Sequence, residues 1–262
     1  MTNRKILVTG SSRGIGRAVA QAFANVGDSV AIHHRDSPDL AAEVLAGLPG
    51  NGHVVVQADV ADPDAVRVMV DEAAGRLGGL DVLVNNAASY GRSPHPVAEV
   101  SYEQWQAVWR DTIGVNLIGA ANVTWCAVQH MIAGGGGRIV NVSSRGAFRG
   151  EPGQPAYGAS KAGLNALGQS LAVALAPHNI TVSAVAPGFV QTDMAAAHLL
   201  GESGAVIRAQ SPFGRVAQPE EIAAAVLYLA SPEALWASGA ILNRLGGSAV
   251  IWASPAVLAP RA

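Results

Sequence analysis

Lysine, cysteine and net charge are all scarce in this chain. Of its 262 residues, 17 are lysine or arginine, and only two of these, Lys5 and Lys161, are lysines. Charged residues make up 14% of the sequence and leave a formal net charge of −2. Because nucleic-acid-binding proteins carry clustered basic charge, this near-neutral balance predicts that nucleic acid is not a partner.

The single cysteine excludes two further classes of protein. It cannot form the paired bridges of a small secreted fold, and paired-cysteine metal motifs are impossible, so we expect no metal site. No apolar run reaches the ~18 residues of a transmembrane helix, and the run near the start is too short for a signal peptide. A hydrophobic content of 50% with little net charge argues against disorder. We expect a globular cytoplasmic protein without a membrane partner.

Short apolar segments alternate along the chain with longer segments of helical periodicity. The apolar segments are continuous, which is typical of strands covered on both faces of a parallel sheet. The predicted strands are Lys5–Thr9, Ser29–His33, His53–Gln57, Asp81–Asn85, Arg138–Val142, Thr181–Ala186 and Ala240–Leu242. The predicted helices are Gly14–Val26, Pro38–Leu48, Pro63–Leu77, Tyr102–Ile132, Ala156–His178 and Pro219–Ala230.

This alternation predicts an α/β fold. We expect a Rossmann-type doubly wound parallel sheet of about seven strands with helices on both faces. One domain is expected to span residues 1–262. The carboxyl ends of the strands then meet at one edge, where ligands bind in such sheets.

The region at about residues 188–214 is less regular than its surroundings. It carries apolar side chains with few charges: Met194, Leu199, Leu200, Val206 and Ile207. Two interpretations stay open at this point. The region is either a mobile apolar flap over a substrate site or a pair of ordinary surface helices.

A glycine-rich turn follows the first predicted strand directly. It reads Thr9-Gly10-Ser11-Ser12-Arg13-Gly14-Ile15-Gly16 and leads into an amphipathic helix. Three glycines at this spacing allow a tight turn, close approach of a diphosphate and close helix–strand packing, while the helix N-terminus attracts the anion. We predict a dinucleotide-binding turn made by Gly10, Ser12, Arg13, Gly14, Ile15 and Gly16.

One of the two lysines lies four residues after a tyrosine on a predicted helix, so Tyr157 and Lys161 share a helix face. Reduction of a carbonyl by hydride creates an alkoxide that needs a proton donor, and a phenol can supply the proton. A nearby ammonium favours the phenolate, so we expect Lys161 to lower the pKa of Tyr157 toward the working range. The alternative is an exposed aromatic–lysine contact without catalytic meaning.

The glycine turn and the ordered Asn, Ser, Tyr and Lys resemble the short-chain dehydrogenase/reductase family. The resemblance covers about residues 4–247. It implies that Ser144, 13 residues before the tyrosine, is the catalytic serine rather than Ser143. It also implies that Asn116 anchors a water leading to Lys161. The implied catalytic residues are Asn116, Ser144, Tyr157 and Lys161.

The same resemblance implies further contacts to a dinucleotide. Asp59 and Val60 follow the third strand, where the family borders adenine, although Asp59 also suits a helix cap before Pro63. The fourth strand ends in Asn-Asn-Ala-Ala, where the family usually has Asn-Asn-Ala-Gly. The remaining implied cofactor contacts are Asn86, Ala87, Tyr157, Lys161 and the nicotinamide-loop residues Pro187, Gly188, Val190 and Thr192.

The end of the second strand bears on the choice between NADPH and NADH. The family's discriminating acid would stand where His34 lies, and Arg35 follows it. Arg35 and Arg13 could clamp a 2′-phosphate with planar guanidinium groups, which favours NADPH/NADP+. Asp36 is the competing candidate, since an acid there would hold a ribose hydroxyl and favour NADH. Arg35 could also be an ordinary solvated loop residue.

The sequence does not name the substrate. We expect reduction of a small-molecule ketone or aldehyde, with reduction of 3-oxoacyl chains on acyl carrier protein as the alternative. The second expectation is weakened because the helix stretch 170–178 carries no Arg or Lys for an acidic carrier. A non-catalytic NADP-sensing regulator is a third possibility, although such proteins usually lose the Tyr or the Lys.

Expectations about assembly and the C-terminus also rest on the resemblance. Relatives pack two long helices, here around Tyr102–Ile132 and Ala156–His178, into dimers or tetramers, so we expect a homo-oligomer. Leu245 replaces the polar residue usual before two glycines, and the apolar tail 251–262 is a candidate for the subunit interface.

Overall fold

The computed structural model describes residues 3–91, 93–196, 199–244 and 246. The expectations for Leu245 and for the tail 251–262 lie outside these residues. Seven strands form one sheet: β1 (Lys5–Val8), β2 (Ser29–His34), β3 (Val54–Gln57), β4 (Val82–Asn85), β5 (Gly137–Val142), β6 (Ile180–Pro187) and β7 (Ile241–Arg244).

Nine α-helices accompany the sheet within the described residues. They are α1 (Gly14–Asn25), α2 (Pro38–Gly47), α3 (Pro63–Leu77), α4 (Tyr102–Ile113), α5 (Ala120–Ala133), α6 (Pro155–Leu175), α7 (Asp193–Ala196), α8 (Gly201–Ala209) and α9 (Pro219–Leu229). None of the helices in the described part of the chain has the length and hydrophobicity needed to cross a lipid bilayer.

The strand order is β3-β2-β1-β4-β5-β6-β7, and every pairing is parallel. Successive strand residues point to opposite faces, so each strand contributes to two cores. Leu7 packs with Met69 and Met131 on one face, whereas Ile6 and Phe23 pack on the other. The α/β doubly wound fold is thereby confirmed.

The helix predicted over Tyr102–Ile132 is divided, which corrects the sequence expectation. A π-helical turn at Gly114–Gly119 separates α4 from α5. The backbone widens there while Gly119 packs against the loop after β3, where a Cβ would come within 2.6 Å of the Val60 oxygen. This contact is distant in sequence, so helical periodicity gives no sign of it.

The helix predicted over Ala156–His178 also ends earlier than expected. The structure has α6 over Pro155–Leu175, followed by a 3-10 turn at Ala176–His178. Pro177 explains the change because it has no N–H to donate to the preceding helical turn.

Parallel pairing brings distant parts of the chain to one edge of the sheet. Val8 lies opposite Val84, and Asn85 lies opposite Asn141. The segments that follow β1, β4, β5 and β6 therefore emerge side by side. This edge holds the candidate site.

Gly16 is required where α1 packs against this edge. A Cβ there would collide with the Gly10 carbonyl oxygen and lie 2.5 Å from Asn86 Nδ2 and 2.8 Å from Ser11 Cα. We expect Gly16→Ala to lower the free energy of unfolding by roughly 1–3 kcal/mol, the usual cost of overpacking. Urea unfolding followed by circular dichroism measures the change.

Gly75→Ala in α3 is the matched control. Nothing lies within 4 Å of a Cβ at this exposed helical position. Because alanine is the better helix former, this variant should be as stable as the original protein or up to about 1 kcal/mol more stable. Equal effects of the two substitutions would contradict the packing role of Gly16.

Candidate active site

The turn after β1 is tied to the loop after β4 by two side chains. Thr9 Oγ1 accepts hydrogen bonds of 3.0 Å from the backbone N–H groups of Asn86 and Ala87. Asn86 Nδ2 returns hydrogen bonds to the carbonyl oxygens of Thr9 and Gly10, at 2.8 and 3.0 Å. The glycine turn therefore cannot move independently of the neighbouring loop.

His33 holds the same turn from the other side. Its Nδ1 accepts from the Gly10 N–H at 2.8 Å, so the ring proton resides on Nε2, which lies 3.0 Å from the Ala58 carbonyl oxygen. The side chain is only 2% exposed. Burial lowers the pKa of this imidazole to about 4, so it is neutral at pH 7.

The N-terminus of α1 opens toward the cleft without a capping side chain among the described residues. Helices α3 and α4, by contrast, are capped by Asp62 and Ser101. Gly14 has a φ of 55°, and a Cβ there would contact Thr192 Cγ2 at 3.4 Å. The first turn of α1 thus presents free backbone N–H groups in a glycine cradle, which fits a diphosphate.

A cleft of about 400 Å³ runs along the carboxyl edge of the sheet. Most of the predicted site residues line it. These are Gly10, Ser12, Arg13, Gly14, Ile15, His34, Arg35, Asp59, Val60, Asn86, Ala87, Ser144, Tyr157, Lys161, Pro187, Gly188, Val190 and Thr192. Gly16 and Asn116 are not in its lining and act from behind the surface.

Ser144, Tyr157 and Lys161 meet where β5 ends. Lys161 Nζ donates a 2.8 Å hydrogen bond to the Val142 carbonyl oxygen. Tyr157 and Ser144 line the cleft together, and the ammonium lies 5.8 Å from the centre of the phenol ring. Ser144 Oγ also accepts from the Gly146 N–H at 3.1 Å, which orients the hydroxyl.

The expected lowering of the phenol pKa is not found in the protein alone. Although part of the side chain faces the cleft, burial raises the pKa of Tyr157 to about 12, against a smaller lowering by the nearby Ser144 hydroxyl. Burial also lowers the pKa of Lys161 to about 8. Desolvation therefore disfavours the charged form of both groups. At pH 7 the site holds a neutral phenol beside an ammonium.

Asn116 lies in the π-helical turn, 1% exposed, and its amide is fully paired. Its Oδ1 accepts from the Ser89 N–H at 2.7 Å, and its Nδ2 donates to the Ser89 carbonyl and to Ser160 Oγ at 2.9 and 3.0 Å. Ser160 in turn donates to the Tyr157 carbonyl at 2.7 Å. Asn116 therefore connects the loop after β4 to the helix that carries the tyrosine.

Arg35, which favours NADPH, and Asp36, which favours NADH, form an ion pair with each other just after β2. Arg35 and Asp36 lie 2.9 Å apart, at 55% and 63% exposure. His34 is buried, and its Nδ1 accepts from the Ser37 N–H at 3.3 Å. Both members of the pair line the cleft. Because the pair is exposed, it is weak and can exchange for another partner.

The alternative assignment of Asp59 as a helix cap is wrong. Asp62 caps α3 by accepting from the N–H groups of Asp64 and Ala65. Asp59 accepts instead from the Ala61 N–H at 2.9 Å and remains at the cleft.

Comparisons with known proteins agree with this arrangement. A family model described as enoyl-(acyl carrier protein) reductase matches residues 10–248. A cis-4-hydroxycyclohexanecarboxylate dehydrogenase of Sinomonas cyclohexanicum is 40% identical over 93% of this chain and 96% of its own length. The 3-oxoacyl-(acyl-carrier-protein) reductase of Staphylococcus aureus is 39% identical over 93% of this chain and 97% of its own length.

A solved structure is similar as well. The short-chain dehydrogenase of Burkholderia cenocepacia, in complex with NADP, superimposes with a TM-score of 0.84 at 36% identity. The match covers 94% of this chain and 97% of that one. The chain belongs to the short-chain dehydrogenase/reductase family. It is an oxidoreductase acting on alcohol or carbonyl groups.

Several residues line the cleft of this short-chain dehydrogenase/reductase although the sequence does not predict them as site residues: His33, Tyr90, Arg145, Glu151 and Phe189. Tyr90 packs edge-on against Tyr157 with ring centroids 4.7 Å apart. Arg145 directly follows Ser144, Phe189 lies between Gly188 and Val190, and His33 precedes His34, so these three are neighbours of predicted residues. The others are brought to the cleft by the fold.

The low pKa of His33 makes stability depend on pH. Between pH 6.5 and about 4 the unfolded imidazole binds a proton that folded His33 does not. The unfolded state therefore binds more protons in this window. We expect stability to fall as the pH decreases through it, by up to about 3 kcal/mol from this residue.

Urea unfolding at several pH values tests this expectation against His33→Asn. Asparagine can accept from the Gly10 N–H but does not titrate, so its pH slope should be shallower. An NMR titration of the His33 ring provides a direct second measurement. An identical slope in both proteins, with a ring that protonates near pH 6.5, would contradict the assignment.

Proposed function

We propose that the protein is an NADPH-dependent carbonyl reductase with Tyr157 as proton donor. The observation that carries the proposal is the neutral phenol of Tyr157, which lines the cleft with Ser144 and lies beside the ammonium of Lys161. A general acid must be protonated and within reach of the atom that gains charge.

Each side chain has a separate part in this chemistry. A bound nicotinamide would supply the hydride. The Ser144 hydroxyl holds the substrate oxygen, and the Tyr157 hydroxyl donates a proton to it as negative charge develops. The ammonium of Lys161 then stabilises the phenolate left behind, because an adjacent positive charge favours the ionised form. Asn116 is a positioning residue that acts through Ser160 on the tyrosine helix.

The preference for NADPH is supported by the charges at the end of β2. Arg35 and Arg13 both line the cleft and supply guanidinium groups suited to a 2′-phosphate. No acid occupies position 34, where His34 is buried. The Burkholderia relative was solved with NADP. A phosphate that displaced Asp36 from Arg35 would exchange a weak exposed pair for a stronger one.

Reduction of 3-oxoacyl chains on acyl carrier protein is the second candidate. The Staphylococcus relative carries that name at 39% identity. The charge of the outer helices argues against it, since α5 has no Lys or Arg and the only one in α6 is the buried Lys161. The Sinomonas relative acts on a ring alcohol that bears a carboxylate, which does not need a carrier.

A homo-oligomer is part of the same proposal. Trp125 on α5 is 64% exposed and Val173 on α6 is 79% exposed. Large apolar side chains exposed on the two helices that relatives use for assembly favour contact with another copy.

The non-catalytic regulator is disfavoured because Ser144, Tyr157 and Lys161 are all retained. A cytoplasmic location stays a prediction.

Tyr157→Phe tests the proton donor. Loss of the hydroxyl should reduce kcat for ketone reduction by about 10²- to 10⁴-fold, the usual contribution of general acid catalysis. Absorbance of NADPH with a panel of ketones gives the rate. Tyr102→Phe, at a tyrosine 72% exposed on α4, is the matched control and should keep full activity. Unchanged turnover by the Tyr157 variant would exclude the proposed role.

Arg35→Ala tests the cofactor assignment. Removing a charged hydrogen bond to the 2′-phosphate should raise the Kd for NADPH by roughly 10- to 100-fold and leave NADH binding nearly unchanged. Asp36→Asn should act in the opposite direction, because it frees Arg35 from its partner. Fluorescence titration of the reduced cofactors measures both. Equal losses for NADPH and NADH in Arg35→Ala would favour the Asp36 interpretation.

A further inference from the structure

Arg145 is a buried cation that forms no ion pair with any carboxylate of the described residues. Its side chain is 9% exposed. Buried arginines are normally paired, because removing a charge from water is costly. Desolvation and the nearby Arg149 both lower the pKa of the guanidinium, although it stays charged. Glu151 opposes this lowering but forms no ion pair with Arg145.

The protein contacts of Arg145 leave part of the guanidinium open. One nitrogen donates a 2.8 Å hydrogen bond to Gln210 Oε1, and the group stacks 4.2 Å from the centre of the Phe189 ring. Its other nitrogens have no hydrogen-bond partner in the described residues, and they are not among the buried unpartnered atoms. Arg145 lines the cleft, where a ligand can contact its guanidinium.

Arg145 stands at the substrate end of the site. It lines the cleft together with Tyr157 and Phe189, and it follows Ser144 directly in the chain. It also lines an adjoining cavity of about 500 Å³ beneath the end of α8. A molecule whose carbonyl lies against Tyr157 can extend toward this guanidinium.

The acidic groups nearby do not neutralise Arg145. Glu151 lines the cleft but lies against Gly146, where a Cβ would be 3.1 Å from its Cγ, and forms no ion pair with Arg145. In the adjoining cavity, Glu221 is held by two 2.7 Å hydrogen bonds from Arg215. Arg244 adds a further positive charge there. The adjoining cavity is therefore lined by more positive than negative charge, from Arg145, Arg215 and Arg244 against Glu221, and favours an anion beside Arg145.

We propose that Arg145 binds the carboxylate of the substrate, so that the protein acts on ketones or alcohols that carry a carboxylate group. The planar guanidinium, fixed by Phe189 and Gln210, offers parallel N–H donors that match the two oxygens of a carboxylate. A singly charged carboxylate matches better than a phosphate dianion, because the negative charge of Glu151 in the same cleft repels a dianion more strongly. This inference rests on the proposed reductase function.

The experiment compares a cyclic keto acid, an oxocyclohexanecarboxylate, with its methyl ester. Calorimetric Kd values with NADP-saturated protein and kcat/KM values with NADPH are measured for both compounds. The protein should favour the acid by about 10- to 100-fold in both quantities, the worth of a hydrogen bond to a charged group. Arg145→Gln should abolish this preference, which is measured as the ratio of acid to ester within the same variant.

Two further variants separate binding from a structural role. Arg145→Lys keeps the charge but not the planar donors, and should retain only part of the preference. Gln210→Ala removes the tether to α8 but not the charge, and should keep most of it. If Gln210→Ala loses the preference as fully as Arg145→Gln, or if the unaltered protein binds acid and ester equally, the proposal is overturned.

Failure of the reductase function gives a different result. In that case NADPH is not oxidised with any ketone, while the calorimetric preference for the acid and its loss in Arg145→Gln still report on Arg145. A preference for the neutral ester or for a 3-oxoacyl thioester, with normal NADPH oxidation, overturns the carboxylate proposal alone.

Discussion

The hydrogen bond from Lys161 to the Val142 carbonyl joins the helix that carries the tyrosine to the end of β5. Burying an ammonium without a carboxylate costs several kcal/mol, so it persists only with a well-placed acceptor. That acceptor is the last residue of β5, which fixes the register of α6 against the sheet. Tyr157 lies one helical turn before Lys161, and Ser144 lies two residues after Val142. This contact therefore brings the three groups together, and the Asn116–Ser160 and Gly146–Ser144 hydrogen bonds orient them further.

The nucleotide side of the cleft is built differently, from neutral hydrogen bonds. Thr9, Asn86 and the neutral ring of His33 hold the glycine turn without placing a charge beside it. The partial positive charge at the N-terminus of α1 is consequently not compensated by the protein. A charged histidine or an acidic cap at this place would oppose or replace a diphosphate. The neutral ring of His33 therefore leaves the N-terminus of α1 free to attract an anion.

The sequence predicts the sheet and the catalytic positions well because both depend on local pattern. Continuous apolar runs locate all seven strands, and the Tyr–Lys spacing alone places two groups on one helix face. What it misses depends on contacts between distant residues. The π-helical turn follows from Gly119 packing on Val60, and the role of His33 follows from Gly10 and Ala58 meeting at one sheet edge.

The direction of the Tyr157 pKa shift shows the same limit in electrostatics. Spacing puts an ammonium near the phenol, but only the fold sets how far water is excluded from both groups.

Lys161 and Arg145 are two buried cations in one cleft, and neither has a carboxylate partner among the described residues. Their shapes suit different tasks, since a compact ammonium fits beneath a phenol and a planar guanidinium fits two oxygens. Lys161 is held by the Val142 carbonyl, whereas Arg145 has no carboxylate partner among the described residues. An anion that binds Arg145 only in the folded chain therefore also stabilises the fold.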